Sequence, residues 1–348
     1  MTSSIGLEGV FLYQEVNRLT NQLVQTAIEK YNLPPVTKFK ILHDTSRTFV
    51  LALSTKQKTY VLKGIYISEG HQQFILEVEN HLRNKGIRIP RVIPTQNNKL
   101  YFVYDHTPYL LQEWVPGNPF RYTSAKSYQQ IATYLGRIHS ASLGYQPSQA
   151  DIESSIDYWE EEYTDKLYFI KKWKRKRSHT KNAKKKWILK HIDFFLKIGK
   201  EVKHHLLHLP YFHELQKTPL HQQFLCHGDF HRNNVRVDGD EWYVIDWEFV
   251  RYDYPSRDMN KVIFKIMSID EKWNPSSFHA FLSSYLNENP LTFKQLGLLY
   301  TDLAFPHYFY LFLYKKWYHD MDLDEVQEFI QSQQEKTSFM LHMMKKYI

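Results

Sequence analysis

A single cysteine, Cys226, stands among the 348 residues, which excludes an internal disulfide. The chain is therefore expected in a reducing compartment, with that thiol used for packing. No apolar run approaches the roughly eighteen residues that span a bilayer, and the first thirty residues lack the basic start, apolar stretch and small-residue cleavage site of a secretory signal. A cytoplasmic protein without a membrane span is expected. Glycine is scarce: the twelve present are never spaced as G-x-G-x-x-G, G-x-S-x-G or a Walker loop. Dinucleotide-binding, hydrolase-elbow and P-loop readings fail on that ground. Zinc-finger spacing, basic-zipper heptads and an RNA-binding aromatic signature are missing too, so no specific nucleic-acid partner is expected.

Composition is that of a folded protein, 43% hydrophobic and 24% charged, and the formal net charge is +8. That charge is local. Residues 171–190, KKWKRKRSHTKNAKKKWILK, hold eleven Lys or Arg and no acid, so +8 less eleven leaves the rest of the chain at −3. Concentrated charge of this kind reads first as a solvated helical segment, and otherwise as a docking surface for phosphates, acidic protein or anionic lipid.

The pattern along the chain changes near Gly117. Before it, apolar spacing predicts a helix over 11–31 ended by Asn-Leu-Pro-Pro. Three strands follow within 38–65, broken at HDTSR and STKQKT, then a helix over about 70–84, then further strands at IPRVIPT, KLYFVYD and PYLLQEWVPG. After it, helices are predicted at 124–142, 156–205, 259–268, 276–288, 292–316 and 322–346. A hairpin at 234–246, with Asp238-Gly239 as its turn, interrupts them. The expectation is an α+β, two-lobe fold: residues 1–114 as a small antiparallel β lobe with a leading helix, and 115–348 as a larger helical lobe. The cleft lies at the joint.

The segment HGDFHRNN, 227–234, fits His-x-Asp-x-x-x-x-Asn, and YVIDWE places Asp246 at the end of the next strand. An acid, an amide five residues on and a second acid after a strand make a phosphoryl-transfer layout. The first acid orients or deprotonates a hydroxyl, and the amide and second acid hold Mg²⁺ against nucleotide phosphates. Lys63, on the third strand, is placed to reach the α- and β-phosphates, and the helix after it offers Glu77 or Glu79 as an ion-pair partner. Register counted from Pro90 favours Glu77. The run Gln112, Glu113, Trp114 and Val115 is the expected hinge for the adenine edge. His231 and Arg232 are candidate substrate or phosphate neighbours, and His227 is expected to brace the loop. A zinc reading of His227, Asp229 and His231 lacks a further ligand. Tyr310, Tyr314 and Trp317, on one helical face, are read as packing before they are read as a cation cage.

LCHGDFHRNNV followed by YVIDWEFV resembles the aminoglycoside phosphotransferase and choline kinase-like superfamily, which implies that the two-lobe α+β fold is protein-kinase-like. The run YDYPSRDMNKVIF, the inserted basic helix and the aromatic C-terminal helices resemble its bacterial spore coat branch, the CotS-type kinase-like proteins. The resemblance begins near residue 36. It implies Asp229 as catalytic base, Asn234 and Asp246 as Mg²⁺ ligands, Lys63 as the ATP phosphate-binding lysine and Glu248 as a further acid near metal or substrate. It further implies Asp258 as the acid that steadies the catalytic loop, with Arg257 pairing nearby. One departure stands out: the turn between the first two strands, His43 to Thr48, contains no glycine, which leaves Ser46 and Arg47 to meet phosphate by side chain. The expected function is ATP- and Mg²⁺-dependent phosphorylation of a hydroxyl on a small, sugar-like molecule, in association with the spore coat. The alternative is a kinase-shaped scaffold of the coat, docked to other coat proteins through 171–190. A protein kinase is disfavoured, since no Ala-Pro-Glu follows Asp246.

Overall fold

The computed structural model describes residues 7–148, 152, 154–270 and 272–347, with side chains described from residue 19. It opens with α1 (Leu7–Tyr31), followed by strands β1 (Val36–Asp44), β2 (Thr48–Thr55) and β3 (Thr59–Ile65), then α2 (Glu69–Asn84). The lobe is completed by β4 (Val92–Ile93), β5 (Phe102–Tyr104) and β6 (Thr107–Glu113). The strands form one antiparallel sheet in the order β1-β2-β3-β6-β4, with β5 paired to β6. Successive side chains of a strand point to opposite faces. Leu62 accordingly joins Leu51, Leu53 and Leu111 beneath Leu23, Val24 and Ala27 of α1, whereas Ile65 belongs to the core of the helical lobe. Lys63, on the same face of β3 as Ile65, is thus turned toward the lobe joint.

Helix α2 is bounded by its own sequence. Ser68 caps it by accepting from the His71 N–H. At the other end Gly86, at φ 88°, lets its N–H reach the Arg83 carbonyl while the Ile87 N–H reaches that of Leu82, both at 3.0 Å. This is a Schellman closure with a buried apolar residue behind it. The buried stripe Ile75, Val78 and Leu82 belongs to the helical-lobe core, so α2 ties the two lobes together.

The larger lobe contains α3 (Ala125–Ser142), α4 (Trp159–Arg177), α5 (Ala183–His208), α6 (Pro210–Lys217), α7 (Ser256–Ile269), α8 (Pro275–Glu288), α9 (Phe293–Ala304), α10 (His307–Tyr314) and α11 (Leu323–Met344). Short strands β7 (Asn118–Pro119), β8 (Leu225–Cys226), β9 (Val235–Asp238), β10 (Glu241–Val244) and β11 (Arg251–Tyr252) pair as β10-β9-β7 and β11-β8. Gly117 permits the crossing between lobes: its φ is 92°, and a Cβ there would sit 2.4 Å from the Val237 carbonyl oxygen.

Three sequence expectations are corrected. The helix expected over 156–205 is two antiparallel helices, because the Ser178–Asn182 stretch has no apolar face and Asn182 starts a new helix by capping the Lys185 N–H. The helix expected over 292–316 breaks at Phe305, which is extended at ψ 138° because Pro306 follows. The hairpin turn is Gly239-Asp240, one residue later than expected, since Asp238 still pairs with Glu241.

Candidate active site

The loop from Cys226 to Asn234 is held from below by Asp258, in the first turn of α7. One carboxylate oxygen accepts from the His227 N–H at 2.7 Å, and the other accepts from the Gly228 N–H at 3.0 Å. Buried His139 meets the same carboxylate at 3.3 Å and is itself oriented by the Tyr285 hydroxyl at 2.8 Å. Burial raises the Asp258 pKa, but the hydrogen bond from His139 and the positive charge of Lys261 help to outweigh it and bring it to about 2. Asp258 is therefore a fixed anion. His139, Cys226 and Asp258 have donor atoms within 4.8 Å of one another. The Asp258 oxygens are nevertheless already filled by two backbone N–H groups and an imidazole. Gly228, at φ 78°, lies where a Cβ would be 2.1 Å from the Phe249 carbonyl oxygen, so the loop closes against the next loop only with glycine here.

His227 joins those two loops. Its Nδ1 accepts the Asp229 N–H at 3.2 Å, which leaves Nε2–H to donate to the Ile245 carbonyl at 2.9 Å. That arrangement is a neutral imidazole, consistent with a pKa pulled down by burial. It also removes the zinc reading, because both ring nitrogens are committed. Asp246 follows Ile245 in the left-handed region, at φ 65°. Its Oδ1 accepts from the Lys63 Nζ at 2.9 Å, and Lys63 donates to Glu248 as well. Burial pulls the lysine's pKa down, but Asp246 and Glu248 more than offset it and hold Lys63 protonated.

Asp229 and Asn234 sit side by side. The Asn234 amide nitrogen donates to the Asp229 carbonyl at 3.0 Å and to its carboxylate at 3.4 Å. The Asn234 side-chain oxygen is thereby turned away from Asp229. The Ile245 N–H bonds to the Asn234 carbonyl at 2.9 Å, which brings Asn234 and Asp246 to the same open end of the β9–β10 hairpin. Asp229 acts electrostatically on Asp246, so the acids are close neighbours. One amide oxygen and one carboxylate, both hard oxygen donors, fit a divalent cation of the magnesium kind. Asp229 also accepts from Lys261 Nζ at 2.7 Å and faces His231 Nε2 at 3.2 Å. Burial raises its pKa, but His231 and Lys261 outweigh this and hold it well below the carboxylate range.

The Glu77 expectation is corrected. Glu77 points outward, bonded to the Ser148 N–H, the Tyr145 hydroxyl at 2.9 Å and Gln73. Glu79 is the buried carboxylate that feels Lys63, with Arg83 at 3.4 Å. Burial raises its pKa to about 7 against the pull of Arg83 and Lys63. The reason is periodicity: 75, 78, 79 and 82 fall on one helical face, and 77 lies roughly 200° from 79. The apolar stripe in the sequence carried that signal. Lys261 was missed altogether, although it stands three residues after Asp258 on the same side of α7.

In the glycine-free turn, the Thr45 hydroxyl accepts the N–H groups of Arg47 at 3.2 Å and Thr48 at 3.1 Å. Ser46 and Arg47 are exposed, and the Arg47 guanidinium lies 5.4 Å from the ring of Phe249, beside the Asp246 loop. In the hinge, Gln112 pairs with Val61 and Val92, the Glu113 N–H is committed to the Arg91 carbonyl at 3.0 Å, and Trp114 and Val115 have left the ladder. Arg257 does pair nearby, but with Glu162 at 2.8 Å and buried Asp253 and Asp302, inside the helical lobe.

Residues 40–295 match the APH family, described as the phosphotransferase enzyme family. The chain belongs to the APH phosphotransferase family. This APH-family protein is 28% identical over 289 residues to the spore coat protein S of Bacillus subtilis (strain 168), covering 80% of this chain and 82% of that one. Its fold is shared by an aminoglycoside phosphotransferase from Alicyclobacillus acidocaldarius, with TM-score 0.73, 15% identity and coverage of 92% and 95%. An amicoumacin kinase in complex with AMP-PNP, Ca²⁺ and Ami shares it also, with TM-score 0.61, 16% identity and coverage of 91% and 93%. No helix among the described residues is long and apolar enough to cross a membrane.

Proposed function

We propose that the protein transfers the γ-phosphoryl of ATP to a hydroxyl of a small, sugar-like molecule, and that it does so in association with the spore coat. The observation that carries this is the convergence of Lys63, Asp246, Asn234 and Asp229 at one joint, with two lysines already placed on the two acids. Residues 1–114 serve as the nucleotide lobe and 115–348 as the catalytic lobe.

Lys63 is released from Glu248 to the α- and β-phosphates. Asn234, through its side-chain oxygen, and Asp246 hold Mg²⁺, which when bound neutralises the phosphate oxygens. Asp229 orients the acceptor hydroxyl and takes its proton as the new O–P bond forms and the bond to the β-phosphate oxygen breaks. A strongly acidic Asp229 suits that task, because a loose phosphoryl-transfer transition state asks for positioning and late proton transfer more than for basicity. Glu248 takes the second place near the metal. Arg47, with Ser46, meets phosphate by side chain in place of loop glycines, and the hinge around Gln112, Glu113, Trp114 and Val115 receives the base. Coat attachment rests on the relative named above and on the exposed basic helix tip of 171–190. The test is ADP release by purified protein with ATP and Mg²⁺ across a hydroxyl-compound panel, with Asp229→Asn as blank. Equal release by both proteins would sink the proposal.

The second reading, a coat scaffold with a kinase shape, is favoured by one observation: the amides of Arg47 and Thr48 are closed on the Thr45 hydroxyl. It predicts no nucleotide binding at millimolar ATP, with coat association intact.

A further inference from the structure

We infer that the acceptor is an anionic sugar-like compound, not a polyamine of the aminoglycoside kind; this rests on the phosphotransfer reading and names its substrate class. The inference comes from the wall beside Asp229. Lys261 occupies one Asp229 oxygen at 2.7 Å, and one turn further along the same face of α7 stands Phe264. The Phe264 ring stacks on Tyr308 at 3.8 Å and 9°, and lies 5.7 Å and 25° from Trp317. All three rings are half-buried, so each keeps some surface open. Tyr308 is next to the catalytic loop, for its pKa is raised by burial and then by Asp229 and Tyr122. Tyr122 in turn feels Arg232. A tier of near-parallel aromatic faces beside the base suits the C–H face of a sugar ring.

Two cations stand at the Asp229 end of this tier. Lys261 matches Asp229, while Arg232 is exposed and pairs with no carboxylate among the described residues. Beyond Trp317, Lys184 of the basic tip donates to the carbonyls of His319 at 3.2 Å and Met321 at 2.6 Å, which brings that tip to the same rim. Two of the exposed acids where α11 begins, Asp322 and Glu325, are closed on each other's backbone in its capping box. An acceptor carrying several ammonium groups meets Lys261 and Arg232 beside Asp229, whereas a carboxylate or phosphate on the ring meets Arg232.

Glucosamine, glucose and glucuronate hold the ring nearly constant while charge runs from +1 to −1, and kanamycin supplies the polycation. Their kcat/KM values with ATP and Mg²⁺, and their affinities by calorimetry in the presence of AMP-PNP and Mg²⁺, should rise from glucosamine to glucuronate. The span should be about tenfold, with kanamycin weakest. Arg232→Gln should shrink the glucuronate-to-glucose ratio by about 2- to 5-fold without altering AMP-PNP affinity. Trp317→Ala should weaken glucose and glucuronate alike by about 2- to 10-fold. Tighter binding or faster turnover of glucosamine or kanamycin overturns the inference. So does failure of every sugar to bind while AMP-PNP does, a result that leaves phosphotransfer standing. If AMP-PNP itself fails to bind, the phosphotransfer reading falls first and this inference with it.

Discussion

The Lys63 ammonium lies 2.9 Å from the Asp246 carboxylate, although 183 residues separate them in the chain. One comes from the middle of a β lobe strand and the other from a loop in the helical lobe, so this pair spans the cleft in which the nucleotide is proposed to bind. On that proposal, nucleotide phosphates and a cation would compete with the pair for both partners.

ATP with Mg²⁺ is accordingly expected to raise the melting temperature of the protein by several degrees, since ligand at 100 times Kd contributes about 2.7 kcal/mol. Asp246→Asn should abolish most of that rise. An unchanged shift in the variant, measured by thermal denaturation, would remove Asp246 from the cation site.

Asp229→Asn keeps the Asn234 contact to the Asp229 backbone and should bind nucleotide normally. Turnover should fall by about 10²- to 10⁴-fold. Parallel loss of nucleotide affinity and turnover would contradict a role confined to the acceptor hydroxyl.

Glu79 sets a pH dependence of stability. Its folded pKa of about 7 lies above the ordinary value of 4.5, so the folded state holds this proton longer than the unfolded state. Stability from this group is full below pH 4.5 and is lost as pH rises through 7, by on the order of 2–3 kcal/mol. Relative to Glu79→Gln, the wild type should therefore lose stability between pH 4.5 and 7. Urea denaturation of both proteins at pH 5 and pH 8 measures the difference; a constant gap would contradict the raised pKa. The same comparison with Glu77→Gln should show no loss over this window.

Gly228→Ala places a methyl group 2.1 Å from a carbonyl oxygen at a φ of 78°. The cost should be on the order of 1–3 kcal/mol, with turnover reduced because the Asp229 and Asp246 loops no longer close together. Wild-type stability in the alanine protein, by denaturant titration, would show that the two loops are not tightly joined.

Lys171, Lys172, Lys176, Lys181 and Lys186 are exposed on the α4–α5 tip. Changing all five to Gln should leave folding within about 0.5 kcal/mol per site, as is usual for surface substitutions. Binding to isolated coat material should weaken and its salt dependence flatten. Undiminished coat binding would take away the docking role.

Much of this site was readable along the chain. The catalytic loop, Asn234, Asp246 and Asp258 fall within about thirty residues of one another, in runs of polar types with few alternative uses, and the alternation Leu62-Lys63 on a strand turns the lysine away from the apolar face. Glu79 was available in the same way, through the spacing of Ile75, Val78 and Leu82, and a count from Pro90 obscured it. The breaks at Pro306 and at Ser178–Asn182 both follow from local rules, the first from the proline and the second from an asparagine that caps a new helix.

Local backbone chemistry and side-chain periodicity determined the lobes, the strand faces and the residue types at the site, because each depends on neighbours a few positions away. Which carboxylate meets Lys63, that Lys261 covers Asp229, that His227 bridges two loops and that an aromatic tier stands one turn beyond Lys261 were decided only by the packed chain. Those contacts join positions far apart in sequence, and their energy depends on distance and burial, which no local pattern encodes.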